Sequence, residues 1–161
     1  MERDGAPAAT TSSSSDFGDL YREHALWAAR LSFLLTGEPS MAEDLVQEAF
    51  LGLYRHADRV ENPRAYLRVT LVNLAGRNRR REQRRAAAYR IVARRDAVSD
   101  NSNDLFELVV RLPLKQRVVI VLRYYEGLSE AEIAAALDCA PGTVKSLASR
   151  AIDRLRKEVL R

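Results

Sequence analysis

Cysteine is almost missing from this chain, with one residue, Cys139, in 161. No intrachain disulfide and no Cys-based zinc cluster can therefore be assembled. Histidine is nearly as scarce. His24 and His56 fall in separate helical stretches, so the chain offers no metal-ligand cluster. It also lacks a Gly-rich phosphate loop and a nucleophile motif, so neither enzymatic activity nor a cofactor is expected. No apolar run reaches the ~18 residues of a membrane span. The opening MERDGAPAATTSSSS has no signal-peptide core, and a cytoplasmic protein without membrane insertion is expected.

Acidic residues are also nearly missing from one segment. Residues 64–95 carry 11 basic side chains and a single acid, Glu82, a balance of +10. Residues 1–63 carry 5 basic and 11 acidic groups, and residues 96–161 carry 10 of each. The net charge of +4 thus conceals one strongly basic segment that suits a polyanion such as nucleic acid. A solvated basic helix face is the plainer alternative.

What is present is helical periodicity. The Ala/Thr/Ser-rich residues 1–15 read as a disordered tail. Phe17, Leu20, Leu31, Leu34 and Leu35 recur at helical spacing up to Gly37. Ser40 and Glu43 have capping-box spacing ahead of Leu45, Val46, Ala49, Phe50 and Leu53. Asn62-Pro63 opens a third helix with Leu67, Leu71 and Leu74 on one side. A polar stretch across residues 88–104 reads as a linker. Beyond it, Leu105 to Leu112 and Leu114 to Glu126 read as helices, and Ser129 and Glu132 form a second capping box. A short helix to Leu137, a turn at Asp138-Cys139-Ala140 and a last helix from Pro141 complete a helix-turn-helix pattern. The expected fold is all-α: two small helical domains, residues 16–87 and 105–161, joined by a flexible linker.

In the last helix, Val144, Ala148, Ala151 and Leu155 form an apolar stripe. Thr143, Lys145, Ser146, Ser149, Arg150 and Arg154 lie on or beside the opposite face. Short hydroxyls between cations suit a major groove, where cations meet phosphates or guanine edges. A helical hairpin with a solvated polar face would show the same spacing. The segment LSEAEIAAALDCAPGTVKSLASRAIDRLR, with LPLKQRVVIVLRYYEG before it, resembles the promoter-reading domain of bacterial RNA polymerase sigma factors of the small extracytoplasmic-function group.

The amino-terminal half agrees with that resemblance. AEDLVQEAFLGLY is similar to the segment with which sigma factors grip the polymerase. Asp44, Gln47, Glu48 and Leu51 share one helix face there, and the resemblance makes the clamp coiled coil of the beta-prime subunit their partner. ENPRAYLRVTLVNLAGRNRRR is similar to the segment that opens and captures the −10 promoter element. Tyr66, Thr70, Asn73 and Arg77 line one face, and an aromatic can stack on an unpaired base while an amide bonds its edge. The resemblance places Asn73 against an extruded base, with the loop at about Asp58 to Asn62 forming part of the pocket. Arg68, Arg80 and Arg81 join the expected −10 contacts, Arg80 and Arg81 mainly through phosphates. The carboxyl-terminal residues named above would read the −35 element as duplex.

The resemblance therefore implies an alternative sigma factor, monomeric when free. Its implied partners are core RNA polymerase, through the beta-prime clamp and the beta flap, promoter DNA and an anti-sigma factor. Leu147 stands where many relatives carry arginine, and either packs on its lobe or touches a thymine methyl. A conventional helix-turn-helix regulator, or a sigma-like adaptor without initiation activity, is the rival reading. Cys139 reads as a small packing residue.

Overall fold

A computed structural model of the protein describes residues 11–88 and 104–160. Among the described residues every regular element is helical. Helices α1 (Thr11–Thr36), α2 (Pro39–Arg55) and α3 (Pro63–Ala88) form one lobe; α4 (Asp104–Arg111), α5 (Leu114–Ile120), α6 (Glu130–Leu137) and α7 (Pro141–Val159) form the other. The all-α expectation is met. Most of the expected linker, residues 89–103, lies outside the described residues, as do residues 1–10 of the expected tail.

The start of α1 corrects the expected tail boundary. Residues 11–15 are helical rather than part of a disordered segment. Once the buried stripe has nucleated a helix, each added residue brings one more hydrogen bond, and Ser costs only about 0.5 kcal/mol relative to Ala. The capping box expected at Ser40 and Glu43 is also corrected. Pro39 occupies the first helical turn, Glu38 is the extended N-cap residue, and no side chain caps the helix. The proline ring presets helical φ, so α2 starts ahead of Ser40. The Ser40 hydroxyl instead donates to Glu38 Oε1 at 3.1 Å.

Other local signals act as their chemistry dictates. Asn62 Oδ1 accepts from the Ala65 amide at 3.0 Å at the start of α3. The box at Ser129 and Glu132 is complete: Ser129 Oγ accepts from the Glu132 amide at 3.2 Å, and Glu132 Oε2 accepts from the Ser129 amide at 2.8 Å. The Ser129 backbone amide, with the Ser129 side chain as the lesser cause, holds the Glu132 carboxyl below the usual carboxylate range. Asp138 turns the chain between α6 and α7 with φ 50°, in the left-handed region. The helix expected from Leu114 to Glu126 changes character partway, because Val121–Tyr125 forms a π turn. The Glu126 amide donates to Val121 O across it at 3.2 Å.

Leu31, Leu35, Leu45, Leu53, Leu67 and Leu71 are buried in the first lobe, and Val119, Leu122, Ile133 and Val144 in the second. They belong to a single continuous apolar cluster. The lobes meet where α1 packs on α4 and α5, and α3 on α5 and α6. Phe33 stacks on Phe106 with centroids 4.8 Å apart. Gly37 ends α1 with φ 74°, and a Cβ there would collide with Val110 of α4. Only glycine satisfies both the backbone and the approach of the second lobe.

Arg117 ties this contact together. Its guanidinium, nearly inaccessible, donates to Leu35 O at the end of α1 (2.6 Å) and to Leu112 O (3.2 Å) and Val110 O at the end of α4. Helix C-termini leave carbonyls unpaired and carry partial negative charge, so a buried cation there satisfies two ends at once. Burial, with Arg79 nearby as the lesser cause, lowers its pKa to about 10, leaving it charged at neutral pH.

Candidate nucleic-acid interface

Three surfaces carry the residues singled out from the sequence. On α2, Asp44, Gln47 and Glu48 are exposed, and Leu51 is 55% exposed beside Tyr54 at 56%. The opposite face of the helix buries Leu45, Val46, Ala49, Phe50 and Leu53. An acidic ridge with two apolar side chains at its end thus stands free on the first lobe. Such a surface fits a partner that offers cations around an apolar notch.

On α3, the apolar side holds Leu67, Leu71, Leu74 and Ala75 in the core. Asn73 and Arg77 are exposed on the opposite side, Thr70 is half-buried, and Arg80 and Arg81 project further along. Tyr66 is half-buried. Its ring leans on α2, 6.4 Å from the His56 ring, and its hydroxyl fills the space a side chain at Gly52 would take. Val60, in the loop before α3, packs against the core. The loop beside it is exposed at Asp58, Arg59, Glu61 and Asn62. Asn73 and this loop are therefore both accessible to solvent.

Arg68 behaves differently from the residues with which it was grouped. At two positions beyond Tyr66 it falls far around α3 from the Tyr66–Asn73 row. Its Nε and Nη2 donate to Glu126 Oε2 at 3.0 and 2.9 Å. Arg64 Nη2 reaches Glu126 Oε1 at 3.4 Å, and Trp27 Nε1 donates to the same oxygen at 2.5 Å. The Glu126 side chain is 1% exposed. Neither Trp27 nor Glu126 stood out in the sequence. A Trp two helices away from paired arginines was the available signal, but only the fold brings them together.

On α7, Val144, Ala148 and Ala151 are buried, and Leu155 is half-buried against the same lobe. Thr143, Lys145, Ser146, Ser149, Arg150 and Arg154 are all exposed on one continuous surface that begins at the α6–α7 turn. Leu147 is half-buried against the core, so of its two readings packing is the one observed. Cys139 is half-buried against the same core. Among the described residues no group of three or more His, Cys, Asp or Glu is placed to hold a metal, and no helix is long and apolar enough to cross a membrane.

Comparison with known proteins agrees with this geometry. Residues 20–85 match the family model "Sigma-70 region 2" and residues 102–155 match "Sigma-70, region 4". The ECF RNA polymerase sigma factor SigL of Mycobacterium tuberculosis is 34% identical over 151 residues, covering 85% of each chain. The RNA polymerase sigma-E factor of Streptomyces avermitilis is 37% identical over 138 residues, covering 78% of this chain and 74% of its own. Among solved structures, the sigma factor RpoE of Bartonella quintana, in complex with the anti-sigma factor NepR, superposes with a TM-score of 0.72 at 26% identity. That superposition covers 88% of this chain and 95% of RpoE.

Proposed function

The chain belongs to the extracytoplasmic-function sigma factors of the sigma-70 family, and from that premise we propose how its surfaces divide the work of an alternative sigma factor directing promoter-specific transcription. Residues 16–87 act as the polymerase-binding and −10-reading domain, and residues 105–161 as the −35-reading domain. The acidic ridge of Asp44, Gln47 and Glu48, with Leu51, docks on the basic coiled coil of the polymerase clamp. The α7 row enters the major groove at the −35 element. Arg150 and Lys145 meet guanine edges or phosphates, while Thr143, Ser146 and Ser149 fit where longer side chains would clash.

At the −10 element, the exposed Asn73 bonds the edge of an extruded base beside the 58–62 loop. Arg77, Arg80 and Arg81 hold the displaced backbone. Binding energy drives melting, so the protein need supply no chemical step. The observation that carries this reading is the placement of three differently built surfaces on separate exposed faces of one chain. A helix-turn-helix repressor needs only the last of them. An anti-sigma factor is a further proposed partner, since a solved sigma factor of related structure is held by one.

Transcription reconstituted with purified bacterial core polymerase on a pooled genomic promoter library tests the proposal. Discrete transcripts that require the chain, from sites sharing two spaced elements, are the expected result. Polymerase binding without any transcript would hand the case to an adaptor.

A further inference from the structure

Glu126 is a carboxylate removed from water whose partners all lie in the other lobe. It follows the π turn in the carboxyl-terminal lobe, yet Trp27 Nε1 and Arg64 Nη2 approach one oxygen, and Arg68 Nε and Nη2 the other. Its side chain is 1% exposed, and that of Arg68 16%. Arg64 lies over the Trp27 ring with its guanidinium carbon 4.5 Å from the centroid, which fixes the cation in place. One indole N–H and two guanidinium groups converging on a point form a site for an oxyanion. A phosphodiester oxygen accepts from the same donors as a carboxylate.

The closed arrangement cannot perform the proposed function. The −35 and −10 elements lie about 25 base pairs apart by position, or about 85 Å along a duplex at ~3.4 Å per pair. A compact chain of this length has a radius of gyration of about 15 Å. The two reading faces must separate before they can lie on their two elements. Glu126 must then leave Trp27, Arg64 and Arg68.

We propose that Trp27, Arg64 and Arg68 form an oxyanion cradle that Glu126 fills when the lobes are closed and a DNA phosphodiester fills when they part. Glu126 is in that case an internal stand-in for the promoter backbone. The chain holds itself closed, and opening exchanges a carboxylate for a phosphate. Arg64 and Arg68 lie apart from the base-reading row, so this phosphate contact positions the strand without reading it. The inference rests on the sigma-factor reading, but its test uses the free full-length chain and needs no polymerase. Failure of the cradle is thereby distinguishable from failure of that reading, which shows as absent transcription.

The experiment compares the wild-type chain with Glu126→Gln and Glu126→Asp. Circular dichroism checks folding, small-angle scattering reports lobe separation, and a fluorescent single-stranded −10-length oligonucleotide reports binding over a salt series. Glu126→Gln keeps the shape and removes the charge; Glu126→Asp keeps the charge but withdraws it by one methylene. Both are expected to raise the radius of gyration and to tighten oligonucleotide binding, by about tenfold for Glu126→Gln. The slope of log affinity on log salt should steepen by about 1–2, as two arginines gain phosphate partners. Adding Arg68→Ala to Glu126→Gln should remove most of that gain. An unchanged radius in both folded variants would overturn the latch. Opening without tighter binding, or a gain that survives Arg68→Ala, would overturn the cradle.

Discussion

Helices α3 and α7 both carry the cations proposed to meet nucleic acid, and they are held in opposite ways. The polar row of α7, from Thr143 to Arg154, is open to solvent along its whole length, and its underside is sealed by Val144, Ala148 and Ala151. The proposed base-reading side of α3 is open at Asn73 and Arg77, but Arg64 and Arg68 near its start are clasped by the carboxyl-terminal lobe. A duplex is read as it stands, so a rigid exposed face suffices for α7. A melted strand exists only after the promoter opens, so α3 can be partly engaged until then. In the proposed division of labour, one surface is always ready and the other is gated.

The strongest way to break this comparison is to loosen the contact between the lobes. Arg117→Ala leaves the carbonyls of two helix ends without their shared cation and should lower unfolding free energy by about 3 kcal/mol in urea titration. Arg117→Lys should recover part of that loss, since one ammonium cannot span both ends with the geometry of the guanidinium. An equal loss for both variants would mean that packing of the guanidinium plane, rather than its charge and reach, does the holding.

Next come substitutions that should separate the two faces. Arg150→Ala should weaken duplex binding at the −35 element by about 1–3 kcal/mol and leave single-strand binding unchanged. Asn73→Ala should do the reverse, weakening capture of the −10 strand by about 1–3 kcal/mol with polymerase binding intact. Fluorescence anisotropy with each oligonucleotide measures both. Crossed effects would place the faces wrongly. On the third surface, Asp44→Arg should weaken polymerase binding by about tenfold, or 1.4 kcal/mol, without changing either DNA affinity.

The smallest effect sharpens the description of the carboxyl-terminal lobe. Ser129→Ala should cost about 1 kcal/mol of stability through loss of the α6 cap. The carboxyl of Glu132 titrates below its ordinary range in the folded chain because Ser129 donates to its charged form. Its contribution is therefore complete above the unfolded pKa and disappears as pH falls through the folded one. Acid titration of stability should be only slightly shallower in Ser129→Ala than in wild type, because alanine keeps the backbone amide that is the larger cause and removes only the side-chain one.

Much of this was written locally in the sequence. Asn62-Pro63, Gly37 and the pair Ser129 and Glu132 declare helix ends through chemistry that acts within a few residues, and the leucine stripes declare which faces are buried. Where a local rule failed, another local rule had won, as when Pro39 started α2 ahead of Ser40. The exposed rows on α2 and α7, and Asn73 and Arg77 on α3, followed directly from periodicity, whereas Tyr66 and Thr70 of the same α3 row are half-buried. The joining of the lobes did not. Phe33 and Phe106 look like any periodic aromatics, and Arg117 stands in a helical run like a surface cation although it is buried between two helix ends. Glu126 sits before Gly127 where a helix is ending, and its partners are 58 to 99 residues away. No spacing rule reaches that far. The ion pair of Arg68 with Glu126 was hidden for the same reason, because sequence proximity to Tyr66 and Asn73 says less about its partners than its angle around α3.

The central claim is that the two faces act on two promoter elements in separable steps. Footprinting of holoenzyme formed with wild type, Asn73→Ala or Arg150→Ala tests it most directly, with permanganate reporting unpaired thymines at the −10 element and nuclease protection reporting the −35 element. The account predicts that Asn73→Ala protects −35 but leaves −10 unreactive, while Arg150→Ala loses −35 protection and melts whatever promoter it still holds. Normal −10 reactivity with Asn73→Ala, or full −35 protection with Arg150→Ala, would contradict it.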